Sequence, residues 1–152
     1  MSGSPPERDM GITVDRSETA GEGSVVYDVA DVPPSVNDAD ARTKHVLVSR
    51  ALIPDAGALF VDIVTYPPGT EINRHYHEGT DHFFYVLDGE GGIEIEGEEL
   101  PLTEGTVVWV GERDVHKLKS SDDRELRILE YFSNVDHTMT RVEGEGHRWE
   151  QR

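Results

Sequence analysis

The chain has 152 residues, the length of one ordinary domain, with no cysteine and 31 acidic against 14 basic side chains, a formal net charge of −17. Such a field repels phosphate backbones, so nucleic acid is excluded as a partner, and the missing cysteines exclude disulfides, thiolate ligands and a cysteine nucleophile. No apolar run approaches the length of a bilayer-spanning helix, and the first twenty residues lack the basic start and apolar stretch of a secretory signal, so the chain reads as cytoplasmic, without membrane contact.

In chain order, residues 1–22 are rich in Gly, Ser, Pro and charge and read as a disordered arm. Short apolar runs follow, separated by turn formers. Ser24–Asp28 and Lys44–Ser49 are expected strands, with Pro33, Pro34 and Asn37 marking a loop between them. Ala58–Tyr66 is rich in β-branched and aromatic residues and stops at Pro67-Pro68-Gly69. His82–Leu87 precedes a turn through Asp88–Gly92, and Ile93–Ile95 alternates with glutamates as a half-exposed strand does. Thr106–Val110, Val115–Lys119 and Glu125–Phe132 complete a barrel over 23–135. Residues 136–152 are polar, with Thr138–Val142 as an edge strand before a loose tail. Many short strands at regular spacing define an all-β sandwich or barrel. Acids such as Glu94, Glu96, Glu98 and Glu99 are dispersed through these strands and form no block. That pattern is similar to the solvated surface of proteins from salt-loving microbes.

The chemistry is concentrated in residues 69–89, GTEINRHYHEGTDHFFYVLDG. On a strand, alternate side chains share a face, so His75 and His77 project together, about 7 Å apart at Cα, close enough to meet one ion. After the turn Glu78-Gly79-Thr80-Asp81, an antiparallel return brings His82 opposite the pair. His116 follows the strand TVVWV and its loop. Four of the seven histidines therefore fall where one site can collect them. A one-residue slip would offer Asp81 in place of His82 but would turn Phe84 and Val86 outward. His45, His137 and His147 stand in contexts with no partner and receive no role.

Residues 69–89 resemble the first motif of the cupin superfamily, in which a glycine, an HxH pair, a glutamate and a second glycine recur at fixed spacing. Gly69, His75, His77 and Gly89 match it. Residues 105–116 resemble the second motif through Gly105 and His116, and the likeness spans roughly 57–132. It departs at four places. His82 stands at the usual glutamate ligand, Gly111 at a usual proline, Arg113 at a usual glycine, and Ser120 at a usual asparagine. The resemblance implies a double-stranded β-helix holding one divalent metal between His75, His77, His82 and His116, the all-histidine variant of the site. Iron, manganese, nickel, zinc and copper all accept imidazole. It also implies a homodimer, consistent with apolar residues on both faces of His82–Leu87, where Phe84 and Val86 point inward with His82.

By strand phase Glu71 and Asn73 share the face of His75, while core packing is the expected role of Trp109 and Tyr131. The function implied is a metal-dependent, dioxygenase-like enzyme acting on a small organic molecule. Two alternatives stand beside it: an isomerase or lyase using the ion as Lewis acid with an inward Glu, Tyr or extra His as base, and a non-catalytic module that binds or senses a small ligand.

Overall fold

The computed structural model describes residues 19–21, 23–144 and 149–151. Most of the expected N-terminal arm, and His147, lie outside the described residues. A short hairpin, β1 (Thr19–Ala20) with β2 (Ser24–Val25), stands by itself. The remaining strands are β3 (Ser35–Asn37), β4 (Thr43–Val48), β5 (Phe60–Tyr66), β6 (His75–Glu78), β7 (His82–Ile95), β8 (Glu98–Thr103), β9 (Val107–Val110), β10 (His116–Ser120), β11 (Leu126–Phe132), β12 (Thr138–Arg141) and β13 (Trp149–Gln151). They form one curled antiparallel sheet in the order β12-β6-β10-β7-β11-β5-β4-β3-β13, with β8 and β9 added to β7. This is the double-stranded β-helix, or jelly roll, that the resemblance implied, within the all-β class that the strand pattern defined.

Alternation explains which side chains face inward. In β11, Leu126, Ile128, Glu130 and Phe132 are buried while Arg127, Leu129 and Tyr131 are only partly covered. The first half of β7 buries His82, Phe84 and Val86 and leaves Phe83, Tyr85 and Leu87 on the other side. Asp81 is exposed, so the register that would substitute it for His82 is not the one adopted. Val64, Phe84, Val86, Leu118, Leu126 and Ile128 belong to the main core, and a second cluster gathers Val32, Val46, Leu52, Phe60, Phe132 and Val135.

The segment Asp88–Gly92 differs from expectation. It is not a turn; β7 runs through it for 14 residues. Its early residues pair with β9 and β11, and its later ones with β8 and β10, so β7 belongs to both halves of the barrel. The glycines there serve close approach of backbones. At Gly89 (φ +94°) an added Cβ would fall 1.9 Å from the Glu125 carbonyl oxygen, and at Gly91 it would fall 2.1 Å from that of Lys119. β3 and β8 were not expected. β8 is almost wholly exposed, with only Leu102 buried, and so carries little hydrophobic signal.

Trp109 also corrects an expectation. It is 61% exposed on β9, beside exposed Val107 and Tyr85, on the outer face where a partner copy was expected to sit. Tyr131 is half-buried on that face, edge-on to Phe83 with ring centres 6.0 Å apart.

Among the described residues Arg50 pairs with Asp136, Arg74 with Glu94 and Glu143, Arg113 with Glu78, Lys117 with Glu71, Lys119 with Glu99, and Arg124 with Asp88 and Glu90. These cations are consumed locally, and 31 acids against 14 bases still leave a surplus of negative charge. Its self-repulsion is long-ranged at low ionic strength and screened at high. The melting temperature should therefore rise, by about 5 °C or more, between millimolar and molar sodium chloride. A flat profile in a thermal denaturation series would show the acids to be compensated where they stand.

Candidate metal centre

β6 is held between β10 and β12, with His75 opposite both His116 and Arg141, and His77 opposite Met139. One ring nitrogen from each of His75, His77 and His116 lies within 4.8 Å of the others. The Nδ1 of His75 is 2.8 Å from the Asn73 carbonyl, and that of His116 is 2.8 Å from the Asp114 carbonyl. An Nδ1–H donated to a carbonyl leaves the lone pair on Nε2, the tautomer a metal ligand needs.

Burial, with His82, His75, His137 and His116 around it, pushes His77 far below the usual imidazole range, and burial lowers His116 as well. Both are neutral donors. Neither ring nitrogen of His77, nor Nε2 of His116, has a hydrogen-bond partner among the described residues, although all three atoms are buried. Leaving such atoms unsatisfied costs about 1–3 kcal/mol apiece, a cost that a bound cation removes at one nitrogen of each ring. The donor set therefore fits a divalent transition metal.

His82 lies beside this trio but outside its set of converging nitrogens. It opens β7, and its ring centre is 4.8 Å from that of His77 and 5.6 Å from that of His116. Its Nε2 is bound to Glu130 Oε2 at 3.0 Å, a pair buried on both sides. The structure thus brings three of the four expected histidines together and ties the fourth to a carboxylate. Glu130 was not among the residues singled out from the sequence. Its signal was there, since it occupies an inward position in the alternation of β11. Beyond it, Asp62 is its cross-strand neighbour on β5 and is completely buried.

His137, expected to have no role, also lies here. Its ring stacks on Phe132 (4.5 Å, 15°) and approaches His77 at 4.8 Å, and the far side of Phe132 stacks on His82 (4.0 Å, 15°). A turn brings it in, with Nδ1 held 2.6 Å from the Asn134 carbonyl. No periodic pattern marks such a placement. The turn between β6 and β7 is itself pinned to the end of β11. Asp81 N donates to Ser133 Oγ at 2.8 Å and Asn134 N to Thr80 Oγ1 at 3.0 Å.

The departures around the second motif have local explanations. Arg113 takes φ +65°, the left-handed conformation that favours glycine, and is held there as its backbone N–H donates to the His77 carbonyl at 3.0 Å. Ser120 accepts from Thr70 N at 2.9 Å and donates to the Pro67 carbonyl, which ties the Pro67–Gly69 turn to β10.

Two of the trio, His75 and His77, line a cavity of about 310 Å³. His82, Glu130 and His137 line it with them, Glu71 and Asn73 are in its wall as their phase implied, and Tyr66, Ile72, Phe84, Leu118 and Trp149 supply its apolar part.

A curled antiparallel barrel with histidines from the HxH strand converging inside it is the architecture of a cupin, and residues 62–132 match the family described as Cupin domain. The matched segment is just under half of the chain, and the likeness is to that domain and to its fold. Among curated proteins it is similar to the oxalate-binding protein of Thermotoga maritima, 28% identical over 83 residues, covering 55% of this chain and 68% of that protein. Among solved structures it is similar to a predicted oxalate decarboxylase from the same organism, with a TM-score of 0.62 and 21% identity over 70% of this chain and 96% of that one. It is also similar to a mutant of the salicylate 1,2-dioxygenase of Pseudoaminobacter salicylatoxidans in complex with gentisate, with a TM-score of 0.57 and 17% identity over 68% of this chain but only 30% of that one. At these identities the two structures speak for the fold alone.

Proposed function

We propose that His75, His77 and His116 hold one divalent transition metal, with His82 as a fourth ligand through Nδ1, and that the cavity receives a small organic molecule for metal-dependent, oxygenase-like chemistry. The observation that carries this reading is that His75 and His77 of the cluster line a roomy cavity with both polar and apolar walls, rather than being enclosed as in a structural tetrahedral site. A bound iron or similar ion would supply Lewis acidity and a place for dioxygen. The chain's own residues do the rest. Asn73 and Asp114 orient two imidazoles through their carbonyls. Glu130 holds the ring of His82 and adds a negative charge one hydrogen bond away from an otherwise neutral ligand set. Phe84, Ile72 and Leu118 supply apolar surface for the body of the ligand.

Glu130 also supports a second reading. It is a buried carboxylate in the cavity wall, placed as the base of a metal-dependent isomerase or lyase would be. Oxygen-electrode measurements on Fe(II)-loaded protein separate the two. Gentisate, salicylate and oxalate are suitable first probes, because the similar proteins are named for binding or acting on such acids. The oxygenase reading expects oxygen uptake that depends on one of these acids and vanishes with a chelator. Anaerobic consumption of a probe, with no oxygen uptake from any of them, would overturn it in favour of the second.

A further inference from the structure

The wall of the cavity contributed by residues before β4 and by β13 holds the Arg42–Asp40 ion pair and the Trp149 ring, and the metal reading makes no use of it. Arg42 is 5% exposed and lines the same cavity as His75, His77 and His82. Its carboxylate neighbour engages it from one side only, with Asp40 Oδ1 and Oδ2 lying 2.9 and 3.0 Å from Nε. Two rings flank the guanidinium, Cζ being 5.6 Å from the centre of Tyr66 and 5.2 Å from that of Trp149. Among the described residues, no group hydrogen-bonds either Nη.

A guanidinium clamped at Nε and braced by two rings has lost its freedom before any ligand arrives. Its remaining N–H groups form a rigid fork, which matches the two oxygens of a carboxylate and is poorly matched by a neutral amide. Such a built cation is out of keeping with a chain of net charge −17, whose field repels anions. A local positive group is what an anionic ligand needs to enter. Tyr66, Ile72 and Phe84 offer an apolar surface in the same cavity.

We infer that Arg42 anchors the carboxylate of the cavity's ligand, which is therefore a small organic acid with a short or flat apolar body and a second oxygen donor for the histidine cluster. Only the histidine end of this inference rests on the proposed metal site; the Arg42 end does not.

Calorimetric titration of the full chain, both as purified and after chelator treatment, tests it with benzoate against benzamide and malonate against malonamide. Trp149 is buried in the cavity wall and the chain's other tryptophan, Trp109, is exposed, so the emission of a Trp109→Phe variant localises binding to the cavity. At least one acid should bind about tenfold or more tightly than its amide, with a change in Trp149 emission. Arg42→Gln should abolish that preference and Arg42→Lys should keep only part of it, because an ammonium cannot form the fork. Arg141→Gln, at the other cationic residue of the wall, should retain it.

Equal binding of each acid and its amide by the wild-type chain would overturn the inference, whether or not Arg42→Gln folds. So would a preference that survives Arg42→Gln or is lost in Arg141→Gln alone. Acid preference in a protein that takes up no transition metal even when one is supplied would refute the metal site and leave the Arg42 anchor standing.

Discussion

Protein purified without added metal should carry about one transition-metal ion per chain, and alanine at His77 or His116 should lower the affinity for that ion about a hundredfold or more. Both are buried imidazoles held neutral, with nitrogens that no described residue satisfies, so removing either takes away a donor for which the site has no substitute. His75→Ala should act alike, because its nitrogen belongs to the same convergent set. His82 gives a graded result. His82→Glu should keep the ion and shift preference towards harder metals such as manganese, whereas His82→Ala should weaken binding without unfolding the barrel. Glu130→Gln should cost about ten- to a hundredfold by releasing the His82 ring. Elemental analysis with competitive chelator titration reads all of these. Full metal content in a His77→Ala, His116→Ala double variant would refute the assignment.

Phe132→Ala should destabilise the metal-free protein by about 3–5 kcal/mol in urea denaturation and should also weaken metal binding. Phe132 is completely buried in the second core cluster, and its ring is stacked between His82 and His137 while meeting His77 edge-on at 5.3 Å. Truncation opens a void among apolar neighbours and removes the flat support that fixes two imidazole planes. Phe132→Leu refills most of that volume and should recover the greater part of the stability, yet it cannot restore the stacking. It should therefore recover less of the metal affinity. Equal recovery of both quantities would show that the ring contributes volume only.

What the sequence made legible was whatever repeats with a period of two. His75 and His77 share a face because one residue separates them. His82, Phe84 and Val86 turned inward together for the same reason, and the barrel class followed from the recurrence of such runs. The features that escaped are set by contacts between distant segments. Glycines normally punctuate, so Asp88–Gly92 reads as a turn, although Gly89 and Gly91 are there because backbones cross within contact distance. Glu130 looks like an exposed acid until the phase of β11 is fixed. His137 enters through a turn, and Arg42 and Trp149 reach the cavity from segments outside residues 62–132. No local pattern announces a residue whose role depends on what lies across a cavity from it.

The double membership of β7 has a consequence for how the molecule comes apart. His82 begins the part of β7 that pairs with β9 and β11, whereas His75 and His116 sit on β6 and β10, which pair with each other in the opposite half. One continuous strand therefore supplies hydrogen bonds to both halves, and an ion held by all four histidines would staple them a second time. Neither half can peel away while its neighbour stands, so the barrel contains no seam along which a subglobal opening could run. Amide protons in β7 should then be among the slowest of the barrel to exchange, and a bound ion should slow them further while the metal-free barrel stays folded.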